Sequence, residues 1–546
     1  MVLHEYTYIF ALGTIFALLE AYNNGASKLI ESTSEDIAFP LSETKTCLTD
    51  TCLDDVANSW ATSVSSRSIS YRMAMACAFT FELIGALTVG ARTASTIKSG
   101  IISSDSFRGD AGVQLLAFAC AAAGAGTWVM FCSRNNITVS STYALVSSLV
   151  GVGIATGGAQ GVQWAWNDGE GVGAIFAGLL MAPAISACFG AIIFMLIKVL
   201  VHMRKDPLPW AVWTSPVFFL IAGTICTLTI VYKGSPRLGL DDKPAWYIAA
   251  VTLGVGWGLF FLAGLFFLPF VHAKVIKKDN TLRWWDFIQG PLLWRRPAPA
   301  DGGQAKVPNY AVVQHSDSDS DLKGPANDES VLGKSANAES HPARTDSGDQ
   351  EKGATRREYT HDEYNALLAA NMEKHHASIR KKNNPLGWAM RVVHNNPIGA
   401  GSLYELHNVV AILKRIPAYP VIALLYGTHY DIHAAQVGIE GTPEGKRMER
   451  TYAHATQYPN EVEFLYSFVQ IITACTASFA HGANDVGNAV GVWAGMYAAW
   501  NTGRPASAKE EVPLWQIAVI VLTLCFGFMT YGYNIMKGKS ERITTI

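Results

Sequence analysis

The chain has 546 residues, 50% hydrophobic and 16% charged, with a formal net charge of −2 and a mean hydropathy of +0.18. So little charge, with 48 glycines and 15 tryptophans, excludes a chain that is solvated throughout and fits a polytopic membrane protein carrying one polar insert. The near-neutral balance also excludes the electrostatics of a nucleic-acid binder, so nucleic acid is not an expected partner.

A spanning helix needs about 20 mainly apolar residues. In chain order the apolar runs that meet this are 6–22, 71–89, 112–131, 143–164, 173–201, 210–231 and 246–271. The first has no basic region before it and no small-residue cleavage signal after it, and is expected to stay in the protein. A polar stretch, 273–460, follows. It opens with Lys274, Lys277, Lys278, Arg283, Arg295 and Arg296, a basic flank that faces the cytoplasm by the positive-inside tendency. Within it, 300–355 is rich in Ser, Asp, Gly, Ala and Pro and cannot bury a core, so it is expected to be disordered. The apolar patches between 386 and 426 are too short to span and read as surface or packed helices. Runs resume at 463–479, at 490–500 (short, half a span) and at 513–533. Trp210, Trp246, Trp284, Trp285 and Trp515 sit near span ends, as interfacial aromatics do. Seven of the nine cysteines lie in apolar runs and read as small core residues; Cys47 and Cys52 do not.

The stretch from Ser478 to Gly491 follows an apolar run, yet it carries Asp485, Asn484, Asn488 and three glycines. A carboxylate at membrane depth is costly and marks a functional site by default. The glycines allow the backbone to break there and to approach a ligand. A second copy lies near the N-terminus and is interrupted. Asn24-Gly25-Ala26 matches His481-Gly482-Ala483 at an offset of 457, and Asp55-Val56-Ala57-Asn58 matches Asp485-Val486-Gly487-Asn488 at an offset of 430. One motif near each end of a membrane chain is the mark of an internally duplicated transporter.

Carboxylates repel anions, so Asp55 and Asp485 make sense as ligands of a coupling cation, with Asn58, Asn484 and Asn488 beside them; hard cations prefer oxygen ligands. Each Asp read alone is also a plausible helix cap. The hydroxyl cluster Ser140, Ser141 and Thr142 precedes an apolar run. It reads as the cap of the next helix, and its hydroxyls are also candidates to hold a transported anion or its cation. Glu82 lies inside the run 71–89 and reads either as a hydrogen-bonded core residue or as part of the site. His429, Asp431 and His433 have metal-like spacing but no third ligand cluster, so no metal beyond a transported ion is expected. No nucleophile–base pair or phosphate-binding loop points to an enzyme, and no cofactor is implied.

Gly482-Ala483-Asn484-Asp485-Val486-Gly487-Asn488 and Asp55-Val56-Ala57-Asn58-Ser59 resemble the duplicated Gly-Ala-Asn-Asp-Val-Ala-Asn signature of the inorganic phosphate transporter family of the sodium–phosphate symporter type, especially its fungal members. The resemblance covers nearly all of the chain outside 27–54, the last few residues and the polar middle. It implies an all-α polytopic membrane protein: an inverted-repeat secondary transporter with discontinuous helices, moving inorganic phosphate with sodium by alternating access. The family's Pro-Val-Ser-Thr-Thr element corresponds to Thr138-Val139-Ser140-Ser141-Thr142, with Thr138 and Ser141 as departures that keep the hydroxyls. A glutamate at the place of Glu82 is associated with transport in the family. The implied setting is a multi-pass protein of the plasma membrane. Its partners are phosphate, sodium and the lipid bilayer, with a homodimer left open. Proton coupling and a non-transporting truncated isoform or phosphate sensor are the alternatives.

Two departures shape the expected domains. The repeat offsets differ by 27 residues, and 27–54 splits a motif whose parts must meet. Ser27-Lys28-Leu29 can be encoded with GTAAGT, a common intron start, and Leu53-Asp54 can supply a terminal TAG. Excising that string turns 28 residues into one Asn and restores Asn-Gly-Ala-Asn-Asp-Val-Ala-Asn, so 27–54 is expected to be a retained in-frame intron. Lys537-Gly538-Lys539 can contain GTAAGT as well, and the repeat partner of Ser140–Thr142 would fall near 570–572, past residue 546. The expected domains are therefore 1–272, an N-terminal transmembrane repeat region; 273–460, a large, partly disordered cytoplasmic loop; and 461–546, a truncated C-terminal repeat region that leaves the second repeat incomplete.

Overall fold

A computed structural model describes residues 3–25, 55–66, 68–134, 140–166, 169, 171–234, 238–240, 243–279, 281–298, 361–399, 402, 404–429, 458–506 and 511–543. The segment 27–54, the acidic stretch within 300–355, Cys47, Cys52, Asp431 and His433 lie outside them. The described residues are helical apart from turns and one isolated antiparallel bridge between Ile102 and Val162. The chain divides into two compact units, Met1–Tyr310 with Tyr458–Lys539, and Ala311–Gln457 with Ser540–Ile546.

The first unit opens with α1, Thr7–Gly25, and α2, Asp55–Ser65. Next come α3, Tyr71–Ser99, which carries a π-helical turn at Ala86–Gly90, and α4, Ala111–Arg134. After α5, Ser141–Gly157, the chain makes α6, Val172–His202, α7, Pro207–Lys233, and α8, Ala245–Ile276. In the second unit α9 is His361–Lys381, α10 is Pro385–Asn395, α11 is Leu406–Arg415 and α12 is Ala418–Leu425. The chain then returns to the first unit with α13, Asn460–Thr502, and α14, Leu514–Ile543, whose residues to Lys539 belong to that unit. Among the described residues six helices are long and apolar enough to cross a membrane: α3, α4, α6, α7, α8 and α13. The pair Leu406–Arg415 and Ala418–His429, bent by 48°, passes the same test only as a broken span.

Each apolar run of the N-terminal half coincides with a helix. Runs 463–479 and 490–500, expected as separate pieces with a break between them, are instead one 43-residue helix, α13. At about 1.5 Å per residue α13 is about 65 Å long, twice the hydrocarbon thickness of a bilayer. The reason lies in the glycines, which serve packing here. A Cβ at Gly482 would collide with the backbone of Glu82 on α3, and one at Gly85 would collide with the Phe479 carbonyl on α13. A Cβ at Gly491 would lie 2.8 Å from Ile97 Cβ. Glycine costs about 1 kcal/mol against alanine inside a helix, and the close approach of α3 and α13 offsets it. Discontinuity falls elsewhere: at the π-helical turns of α3, α6 and α8, and at Ser140, an extended residue before α5.

The core of the first unit is built around α13. Helices α1, α2, α3, α4, α5 and α7 all pack on it, and from Ser478 to Ala499 nearly every inward position is buried. Trp60 of α2, fully buried, donates its indole N–H to Ser478 Oγ at 2.8 Å. Trp493 donates to Thr14 Oγ1 on α1 at 3.0 Å. By contrast only 6% of the most apolar window of α6 is buried, as expected of a helix whose solvent is lipid. Of the seven cysteines read as core, Cys132 and Cys525 are buried, Cys77, Cys226 and Cys475 are half-buried, and Cys120 and Cys188 face outward; all seven are free. Two therefore depart from the core reading, since an apolar thiol needs no burial where the surroundings are apolar.

The polar connection after α8 is tied to itself. Lys277 Nζ donates to the carbonyls of Trp294 and Arg296 at 2.7 and 2.8 Å, and Arg296 Nε lies 2.7 Å from Asp279 Oδ2. Burial pushes the Asp279 carboxyl up. The Thr281 hydroxyl and amide and the Arg296 guanidinium outweigh it and hold the group below the usual carboxylate range.

Candidate functional site

α13 carries His481, Asp485 and Asn488 at i, i+4 and i+7, one stripe of a helix. Facing that stripe is the N-terminal turn of α5. Ser140 is the N-cap, its side chain accepting from the Tyr143 amide at 3.5 Å. Thr142 donates its hydroxyl to Asp485 Oδ1 at 2.7 Å. Asn488 Nδ2 in turn donates to Thr142 Oγ1 at 2.9 Å and to Asp485 Oδ1 at 3.1 Å. Residues more than 340 positions apart thus share one closed network. Ser141, between the cap and Thr142, is buried, and its hydroxyl has no partner.

On the other side of the stripe is Glu82, in the middle of α3 and fully buried. Its Oε2 lies 2.8 Å from His481 Nδ1, and His481 Nε2 lies 3.7 Å from Asp485 Oδ2. The imidazole therefore stands between two carboxylates from different helices. Such an arrangement can hold a proton or pass one, because the ring accepts and donates through its two nitrogens. His481 and Glu82 sit at the closest approach of α3 and α13, where Gly482 meets the Glu82 backbone. Thr93 Oγ1 ties the same two helices by donating to the Ala483 carbonyl at 3.0 Å.

Of the residues expected at the site, Ser140, Ser141, Thr142, Asp485 and Asn488 come together, and Glu82 joins them through His481. Asn484 does not: it is exposed, because one residue along a helix turns the side chain by about 100° away from the Asp485 direction. Asp55 and Asn58 lie in the first turns of α2, a helix that packs on α13; their side chains lie outside what the structure describes. His481 was not singled out by sequence. Its signal was available in the i, i+4 spacing from Asp485. Glu20, a fully buried carboxylate on α1, was missed as well, although it stands inside an apolar run. A separate cavity of about 420 Å³, lined by Arg92, Lys233 and Lys243 among others, includes none of these residues.

A bundle of apolar helices that keeps carboxylates from three of its helices in the interior, those of α3 and α13 hydrogen-bonded to imidazole, hydroxyl and amide, has the build of a membrane transporter. The model of the Phosphate transporter family matches residues 52–546, and the chain belongs to that family. It is an integral, multi-pass membrane protein. It is 32% identical to a phosphate-repressible phosphate permease of Neurospora crassa, over 100% of this chain and 85% of the relative. It is 24% identical to sodium-dependent phosphate transporter 2 of Felis catus, over 90% of this chain and 83% of the relative. A solved structure described as the sodium-dependent phosphate transporter aligns with 99% of this chain and 79% of its own, at 16% identity and a TM-score of 0.46.

Proposed function

We propose that this protein carries inorganic phosphate across the plasma membrane together with sodium, by alternating access around the junction of α5 and α13. The observation that carries the reading is the closed network of Thr142, Asp485 and Asn488. It joins the N-terminus of one helix to a carboxylate at the middle of another. The backbone N–H groups at the start of α5, with the Ser141 hydroxyl, suit an anion. The Asp485 carboxylate and the Asn488 amide oxygen suit a hard cation. Anion and cation then meet at one place, each lowering the cost of burying the other. The names of the relatives support phosphate and sodium as the pair.

Proton coupling is the second reading, favoured by the Glu82–His481–Asp485 series. The test is accumulation of radiolabelled phosphate by cells or proteoliposomes containing the full chain, with an inward sodium gradient or with choline in its place. Sodium coupling requires accumulation that collapses in choline at constant pH. Accumulation that persists in choline and follows an imposed pH gradient would replace sodium by the proton.

A further inference from the structure

Glu20 sits near the end of α1, with none of its surface exposed, and neither carboxylate oxygen has a hydrogen-bond partner. A buried polar group without a partner costs roughly 1–3 kcal/mol, more when charged, and native structures keep few of them. One turn further on, Asn23 is buried too, and its amide nitrogen has no acceptor. The backbone around Glu20 is packed against α4. Gly126 of α4 meets α1 there: a Cβ at Gly126 would lie 3.1 Å from the Phe16 carbonyl and 3.9 Å from Glu20 Cβ. α1 packs on α13, the helix that carries Asp485. An unpartnered carboxylate in a low-dielectric interior does not stay charged unless a cation lies beside it.

The internal repeat separates architecture from chemistry. At the offset of 457 residues the positions matching Glu20 and Asn23 are Ala477 and Ala480. The duplicated frame forms its helix with alanine at both places, so the helix itself does not require either polar side chain.

We propose that Glu20 is a further cation ligand of the transport site, binding a sodium ion through its two unpartnered oxygens. This rests on the sodium-coupled reading above. It adds a carboxylate from α1 that the duplicated motif does not contain, and it makes the cation site asymmetric between the two repeats.

The test begins with the unmodified full chain in native membranes. A lipid-soluble carbodiimide attacks carboxyls in apolar surroundings, and mass spectrometry of the peptide containing Glu20 measures its extent. Sodium, and not choline, is expected to lower that labelling about threefold or more at concentrations that support uptake, as ligand occupancy shields a ligating oxygen. Labelling of Glu20 that is indifferent to sodium overturns the proposal. In uptake assays E20Q should raise the half-saturating sodium concentration about tenfold, near 1.4 kcal/mol of binding free energy. Half-saturating phosphate at saturating sodium should stay within about twofold, and E20D should recover part of the sodium affinity. An E20Q protein with parental sodium dependence overturns the proposal. Should E20Q fail to reach the membrane, the labelling of the unmodified chain decides. The two readings fail separately. Absence of sodium-driven accumulation by the parent removes sodium symport, whereas loss of sodium protection at Glu20 with parental symport intact removes only this ligand.

Discussion

Thr142 gives one hydrogen bond and receives another through the same oxygen, from Asn488 and to Asp485. A valine of the same shape keeps the packing and loses both, while serine keeps both. T142V should therefore reduce phosphate uptake about tenfold or more, since a hydrogen bond to a carboxylate is worth about 1.5–3 kcal/mol, and T142S should hold most of the parental rate. Uptake of the two variants at equal surface abundance checks this; parental uptake by T142V would mean that the network does not matter. At this scale the repeat made Asp485 and Asn488 legible in sequence, and Ser140 and Thr142 were legible as hydroxyls ahead of an apolar run. Asn484 was chosen with them because a motif is read along a line. A helix is read around a circle, and Asn484 turns outward. His481 and Glu20 were overlooked for a different reason. Each differs from its repeat counterpart, Asn24 and Ala477 respectively, and a search for repeats favours what recurs.

Helices α3 and α13 approach one another through Gly85, Gly90, Gly482, Gly487 and Gly491. This seam fixes the distance between Glu82 and His481, because both side chains spring from the stretch where the two backbones nearly touch. A methyl group at Gly482 meets the backbone of Glu82, which cannot yield without moving the helix. G482A should lower stability by about 1–3 kcal/mol, as overpacking does, and should weaken uptake beyond what lower abundance explains. Thermal unfolding in detergent, with uptake normalised to surface protein, reads both effects; a parental melting temperature with parental uptake would contradict the seam. Helix positions followed from hydropathy, since about 20 apolar residues have few other uses. Continuity through residues 480–490 did not, because glycine beside polar residues describes a break and a tight helix contact equally well. Only the neighbour across the contact, here the Glu82 backbone, tells them apart.

Across the whole molecule, the immersion of the first unit can be tested at α6. A helix with so little of its apolar window buried would be a large liability in water, where contiguous exposed apolar surface drives association. Leu180, Phe189, Ile192 and Phe194 each leave more than half of their surface exposed, and Cys188 stands outward among them. In a bilayer the same face is satisfied by acyl chains. Cys188 in native membranes should therefore react with a lipid-soluble maleimide and resist a charged, membrane-impermeant one applied to either side. Detergent that strips the lipid should not be needed for the first reaction. Labelling by the charged reagent in sealed membranes would put α6 in water and remove it from the spans. Resistance to both reagents would mean that protein covers the face, the outcome expected of a homodimer built on α6, and lipid would then not be its solvent.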